Sequence, residues 1–145
     1  MEAPSATNGE AGHERPAFDG EGTQVLVVDD EEFVLESAQQ TLEAAGYEVR
    51  TALDAAAALR VMEKEAIDLV ITDLRMPEMS GLDLIRRLQE RHPDLPIVAA
   101  SGVADGRTEE ALDAGAQTFL AKPFTAEKLE AALQEALHAT EEAAA

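Results

Sequence analysis

From residue 24 onward, short apolar runs alternate with longer stretches in which apolar positions recur every three or four residues, the pattern of strands and helices laid down in turn. The first run, 24–28, reads QVLVV and is followed by Asp29 and Asp30. A helix is predicted over 31–45, with Phe33, Val34, Leu35, Ala38 and Leu42 on its inner face and Gly46 where it turns off. Residues 47–52 read as a second strand, and Asp54 caps a second helix running to about 65. The third strand, 68–72, ends in Asp73. A loop over 74–80 containing Pro77 leads through Gly81 into a third helix that ends near Arg91 and His92. Pro93 and Pro96 punctuate the next connection, and a short buried strand over 97–100 ends in Ser101. An Ala-rich helix over about 105–114 is closed by Gly115, and the fifth strand, 118–121, ends in Lys122 and Pro123. Thr125 caps a last helix to about 139.

Strict alternation of five strands with five helices predicts an α/β fold. Right-handed crossovers then put helices on both faces of a parallel sheet, and the expected architecture is a flavodoxin-like doubly wound five-stranded sheet of order 2-1-3-4-5. Residues 1–23 are rich in Gly, Ala, Pro, Glu, Ser and Thr and lack apolar periodicity, so they read as a disordered acidic leader or linker. The folded domain is expected over 24–139, with 140–145 as a C-terminal tail.

Composition narrows the classes of partner. The 145 residues suit one domain, and a content of 46% hydrophobic but only 3% aromatic residues means a core of Val, Leu, Ile and Ala. A formal net charge of −19 repels nucleic acid and anionic membranes, so neither is expected as a partner. With no cysteine there can be neither a disulfide nor a thiolate metal site. No apolar run reaches the roughly 20 residues of a membrane span, and residues 1–23 lack the basic and apolar regions of a signal peptide, so a cytoplasmic location is expected.

The chemistry collects at strand ends. In a parallel sheet all C-terminal strand ends share one edge, which brings Asp29, Asp30, Asp73, Ser101 and Lys122 into one crevice. Carboxylates gathered there stay ionised only beside a cation, and an all-oxygen donor set favours a hard ion such as Mg2+ or Mn2+. Lys122 offers a point charge for a phosphoryl oxygen or a carboxylate, and Ser101 a hydroxyl that can donate to the same group. Together they form a phosphoryl-transfer constellation with Asp73 as nucleophile. Taken singly, each has a plainer reading: helix cap for Asp29 and Asp30, loop carboxylate for Asp73, turn residue for Ser101, solvated charge for Lys122, core ring for Phe119. Their joint placement decides between the two.

The segments Val27-Val28-Asp29-Asp30-Glu31, Thr72-Asp73-Leu74-Arg75-Met76-Pro77, Met79-Ser80-Gly81, Ser101-Gly102 and Ala121-Lys122-Pro123-Phe124 resemble the signature set of response-regulator receiver domains, the chemotaxis-Y-like phosphoacceptor domains of two-component signalling. The likeness covers about 24–139. It implies that Asp73 is phosphorylated by a histidine kinase, a phosphotransfer protein or a small phosphodonor, and that the chain promotes its own phosphorylation and dephosphorylation rather than acting as a conventional enzyme. It further implies direct metal contacts from Asp30, Asp73 and the backbone carbonyl of Arg75, with Asp29 acting mostly through water. Ser101 and Lys122 would contact the phosphoryl group, Phe119 would be the switch aromatic coupled to Ser101, and the Lys122–Pro123 bond would be a structural cis peptide. The output face for a downstream partner would be the fourth helix, fifth strand and fifth helix.

Competing readings fit less well. A dehalogenase-like hydrolase expects a second Asp two residues after the nucleophile, where this chain has Arg75, and a flavin carrier needs a hydroxyl-rich phosphate loop where Asp29, Asp30 and Glu31 would repel it. Met76, Met79 and Leu82 are expected to pack the loop against the sheet; His13, His92 and His138 fall outside the crevice, and the Arg75 side chain reads as an exposed charge. With no output domain after the last helix, the sequence reads as a stand-alone receiver or as a segment of a larger hybrid kinase.

Overall fold

The computed structural model describes residues 22–76, 79–102 and 108–144. The leader up to residue 21, His13, Pro77 and the first residues assigned to the fourth helix lie outside the described residues. Ten elements follow in order: β1 (Gln24–Val28), α1 (Glu32–Ala44), β2 (Glu48–Ala52), α2 (Ala55–Lys64), β3 (Leu69–Asp73), α3 (Gly81–Arg91), β4 (Ile97–Gly102), α4 (Thr108–Ala114), β5 (Thr118–Lys122) and α5 (Ala126–Ala144). All strand pairs are parallel, and the sheet order is β2-β1-β3-β4-β5, the flavodoxin-like arrangement expected from the alternation.

Two cores flank the sheet, and residue parity assigns each strand residue to one of them, because successive side chains on a strand point to opposite faces. Val25, Val27, Leu69, Ile71, Val98 and Ala100 pack with Leu35, Ala38 and Leu42 of α1 and Leu129, Leu133 and Leu137 of α5. Leu26, Val28, Val70, Ile97 and Ala99 face the other way, onto Ala55 and Ala58 of α2, Leu84, Ile85 and Leu88 of α3 and Ala111 of α4. Burial on both faces is why the central strands read as unbroken apolar runs. Each fully buried Leu or Val is worth about 1.5–3 kcal/mol, so aliphatic side chains supply most of the core, with Tyr47 buried among them.

Helix boundaries follow local chemistry. The Asp54 side chain accepts the Ala57 N–H at 2.8 Å, Ser80 accepts that of Asp83 at 3.2 Å, and Thr125 accepts that of Lys128 at 3.2 Å. After α1 the chain reverses at Gly46, whose φ of 99° is costly for any residue with a Cβ.

Three expectations are corrected. Phe33 is 81% exposed rather than on the inner face of α1. The buried stripe is Leu35, Ala38 and Leu42, and two residues along a helix is a rotation of about 200°, which turns Phe33 to solvent. Thr23, assigned to the leader, is buried, and its carbonyl accepts the Glu48 N–H at 2.9 Å, so the fold starts before β1. The last helix continues to Ala144 instead of stopping near 139. Ala and Glu are among the best helix formers, and neither Gly nor Pro follows Thr125 to end it.

Candidate functional site

The site forms where β1, β3, β4 and β5 end on one edge. Asp29, the residue after β1, is buried, and three bonds fix it: its N–H donates to the Ala52 carbonyl at 3.1 Å, its Oδ1 accepts the Glu31 N–H at 2.9 Å, and its Oδ2 accepts from Lys122 Nζ at 2.8 Å. Asp30 next to it is exposed, since consecutive residues leaving a strand diverge. Asp73 is the last residue of β3 and only 6% exposed. Its own backbone is held by Thr72 Oγ1, which donates to the Asp73 carbonyl at 3.0 Å, and the following Leu74 N–H donates to the Ala100 carbonyl at 3.1 Å.

Gly81, the first residue of α3, presses against the same backbone. A Cβ at this position would collide with the Asp73 carbonyl and Leu74 Cα, and the Gly81 N–H donates to the Leu74 carbonyl at 3.1 Å. Glycine therefore sets how closely α3 approaches the end of β3.

Lys122, the last residue of β5, reaches over this edge. Its Nζ lies 3.5 Å from Asp73 Oδ1 as well as 2.8 Å from Asp29 Oδ2. Burial, then the neighbouring Asp29 charge, push the Asp73 carboxyl above the usual carboxylate range, against the opposing pull of Lys122 and of the Arg75 backbone N–H. Burial pulls the Lys122 ammonium down, but its hydrogen bond to Asp29 and the charges of Asp29, Asp73 and Glu31 together leave it above its ordinary value. Ser101 is buried on β4, where it pairs with Ala121 one residue from Lys122, while the register sets Asp73 beside Ala100. The Lys122–Pro123 peptide is cis.

Carboxylate oxygens of Asp29, Asp30 and Asp73 all lie within 4.8 Å of one another. Opposite ligands of a six-coordinate Mg2+ stand about 4.2 Å apart, so modest side-chain rotation brings this set to bonding distance. The donors are hard oxygens with one ammonium at their rim, which fits Mg2+ or Mn2+ and not a thiolate-seeking metal.

The remaining residues singled out in the sequence fall around this edge. Phe119 on β5 is half-buried against the core on the α2, α3 and α4 face, and Met76, Met79 and Leu82 pack on that core too. Arg75, His92 and His138 are exposed. Sequence reasoning placed Lys122 toward a phosphoryl oxygen or a carboxylate and Asp29 toward a metal but did not single out Asp29 as the carboxylate that Lys122 bonds; nothing local links residues 93 positions apart. It also quoted Gly81 without a role. A glycine at the first position of a helix, where a side chain is usually harmless, was the available signal.

Comparison with known proteins agrees with this geometry. A family model described as the response regulator receiver domain matches residues 25–134. The chain is 39% identical over 106 residues to the C4-dicarboxylate transport transcriptional regulatory protein DctD of Rhizobium meliloti (strain 1021), covering 72% of this chain and 23% of that protein. It is 37% identical over 116 residues to the sensor kinase CckA of Brucella abortus (strain 2308), covering 78% of this chain and 12% of that one. The chain thus spans a minor part of the length of these two relatives. Among solved structures, the chemotaxis response regulator CheY4 of Vibrio cholerae superposes with a TM-score of 0.74 at 33% identity, over 80% of this chain and 99% of that one. With strand order, acidic edge and family match in agreement, the chain belongs to the response regulator receiver domains of two-component systems.

Proposed function

We propose that Asp73 accepts a phosphoryl group from a phosphohistidine on a histidine kinase or phosphotransfer protein, or from a small acyl phosphate, and that this modification switches a binding face for a downstream protein. One observation carries the reading: a buried carboxylate at a strand end faces both an acidic cluster suited to a hard divalent cation and an ammonium suited to a phosphoryl oxygen. In the transfer, an Asp73 carboxylate oxygen bonds to phosphorus as the bond from phosphorus to the donor imidazole nitrogen breaks. The electron pair leaves with the imidazole, which is protonated, and the product is an acyl phosphate on Asp73. Later attack by water returns the carboxylate and inorganic phosphate, so the chain promotes its own phosphorylation and dephosphorylation.

Asp30, Asp73 and the backbone carbonyl of Arg75 would hold Mg2+ or Mn2+ directly. The Asp29 oxygens, engaged by Lys122 and the Glu31 N–H, suit contact through water. The bound cation supplies charge neutralisation among the carboxylates and the phosphoryl oxygens. Lys122 and Ser101 contact the phosphoryl group. Because Lys122 Nζ already stands 3.5 Å from Asp73, exchanging Asp29 for a phosphoryl oxygen needs only side-chain rotation.

The switch couples Ser101 to Phe119 and so to the face of α4, β5 and α5, where Leu112 is 44% exposed and offers an apolar contact for a partner. The chain works in the cytoplasm, alone or as the receiver segment of a longer regulator or hybrid kinase. Incubation with acetyl phosphate and Mg2+ followed by intact mass tests the assignment: a phosphoryl adduct is expected that chelator and Asp73→Asn both abolish, whereas an adduct persisting in Asp73→Asn overturns it. Identical Phe119 rotamers with and without a phosphoryl mimic would refute the switch.

A further inference from the structure

Charge is distributed unevenly over the helices of this acidic chain. The described α1 carries Glu32, Glu36 and Glu43 with no Lys or Arg of its own, and the described α4 carries Glu109, Glu110 and Asp113 with none. By contrast α2 carries Arg60 and Lys64 against Glu63, and α3 carries Arg86, Arg87 and Arg91 against Asp83 and Glu90. Among the described helices, only these two hold an excess of cations, in a protein of formal net charge −19.

Between α2 and α3 runs a cleft of about 820 Å³, with Ala55 and Ala56 leaving room on one wall and Arg86, Arg87 and Arg91 along the other. Its acids are largely committed: Asp54 caps α2 through the Ala57 N–H, and Asp83 pairs with Arg86 at 3.3 Å. Glu90 remains beside Arg87 and Arg91, and among the described residues neither of these two arginines has an ion-pair partner. Arg60 and Lys64, exposed on α2, add to the same positive field.

Topology brings a complementary segment to this cleft. A helix that follows a strand in a parallel sheet runs back to the edge where strands begin, so α3 ends with Arg91 at the edge from which β1 starts. Gly22 joins β1 at that edge, and the residues before it include Glu2, Glu10, Glu14, Asp19 and Glu21 against Arg15 alone. A chain spans up to about 3.3–3.6 Å per residue and α3 is only about 16 Å long, so a segment of this length is long enough to run along the cleft.

We propose that the acidic segment 1–21 docks in the cleft between α2 and α3 through Arg87 and Arg91. The juxtaposition of unpaired arginines with an acidic segment tethered at the same edge carries the proposal. A tether of this length gives an effective concentration of about millimolar, enough to populate a contact whose individual ion pairs are weak. The proposal is independent of whether Asp73 is phosphorylated.

Because the chain has no cysteine, a nitroxide on the thiol of the Ala17→Cys variant labels one place in the full chain. Amide broadening is expected to concentrate on Ala56, Arg87 and Arg91, and to fall at least fivefold in 1 M salt, where charges are screened beyond about 3 Å. The same loss is expected in the Arg87→Glu/Arg91→Glu variant and, should that variant unfold, in Asp19→Lys/Glu21→Lys, which leaves the folded part untouched. Broadening spread evenly over α1, α4 and α5, or unchanged by salt, overturns the proposal. Broadening of an unlabelled isotopic copy by a labelled one would assign the cleft to a second chain and overturn it equally.

Discussion

Lys122 Nζ binds Asp29 Oδ2 at 2.8 Å across two intervening strands and is 0.7 Å farther, at 3.5 Å, from Asp73 Oδ1. One ammonium thus partly neutralises two buried carboxylates. The burden left on Asp73 has consequences for stability, pH dependence and metal response.

Asp73→Asn is expected to stabilise the metal-free chain at neutral pH by about 1–3 kcal/mol, because it removes an ionised group held among like charges away from water. Added Mg2+ should narrow the gap, since the wild-type cluster gains a cation that the variant binds less well. Urea unfolding of both proteins with Mg2+ and with chelator measures this; equal stabilities in chelator would contradict it.

The sign of the pH dependence follows from the same group. Its carboxyl sits above the ordinary 3.8 in the folded chain, so between that value and the raised one the folded state binds more protons than the unfolded. The Asp73 contribution therefore falls as pH rises through this window and levels off above it. Subtracting the Asp73→Asn profile from that of the wild type in chelator isolates the term, and a difference that grows in favour of the wild type with rising pH would be the wrong sign.

Lys122→Ala leaves Asp29 buried beside Asp73 with no ammonium between them. A loss of roughly 1–3 kcal/mol is expected in chelator, with partial recovery in Mg2+, and phosphorylation by acetyl phosphate should slow because the proposed phosphoryl contact is removed. The raised Lys122 value implies stabilisation that is fully present below pH 10.5 and lost only as pH rises through the folded value, so the effect should be constant across neutral pH. Thermal unfolding and intact-mass time courses check both parts.

Gly81→Ala should be among the more harmful small substitutions. The new methyl has no room against the Asp73 carbonyl, so α3 or the end of β3 must shift. We expect a cost of about 2–4 kcal/mol and slower phosphorylation, whereas Ala56→Ser on the exposed side of α2 should change neither. Normal phosphorylation of Gly81→Ala would show that α3 does not set the nucleophile's position.

Phe33→Ser and Leu35→Ala separate the two sides of α1. The first should alter stability by no more than about 0.5 kcal/mol, and the second should cost about 2–5 kcal/mol, as expected for an exposed ring and a buried aliphatic. Denaturant midpoints of the two variants decide the facing directly.

What the sequence by itself determined was local or periodic. Alternation of apolar runs with amphipathic stretches dictated the elements and hence the parallel sheet, and the residues at the ends of four runs, Asp29, Asp73, Ser101 and Lys122, identified the edge where chemistry collects. Tertiary structure decided what depends on closing the sheet and choosing a face. Periodicity alone could not turn Phe33 outward, because the apolar residues at the start of α1 span more than one face and burial of Leu35 in the core shared with α5 selects between them. Composition could not reveal that Lys122 bonds to Asp29, because two residues so far apart in sequence meet only once four strands lie side by side. The cleft bearing Arg87 and Arg91 is likewise a property of how α2 and α3 are spaced on the sheet, and neither helix encodes that separation within its own residues.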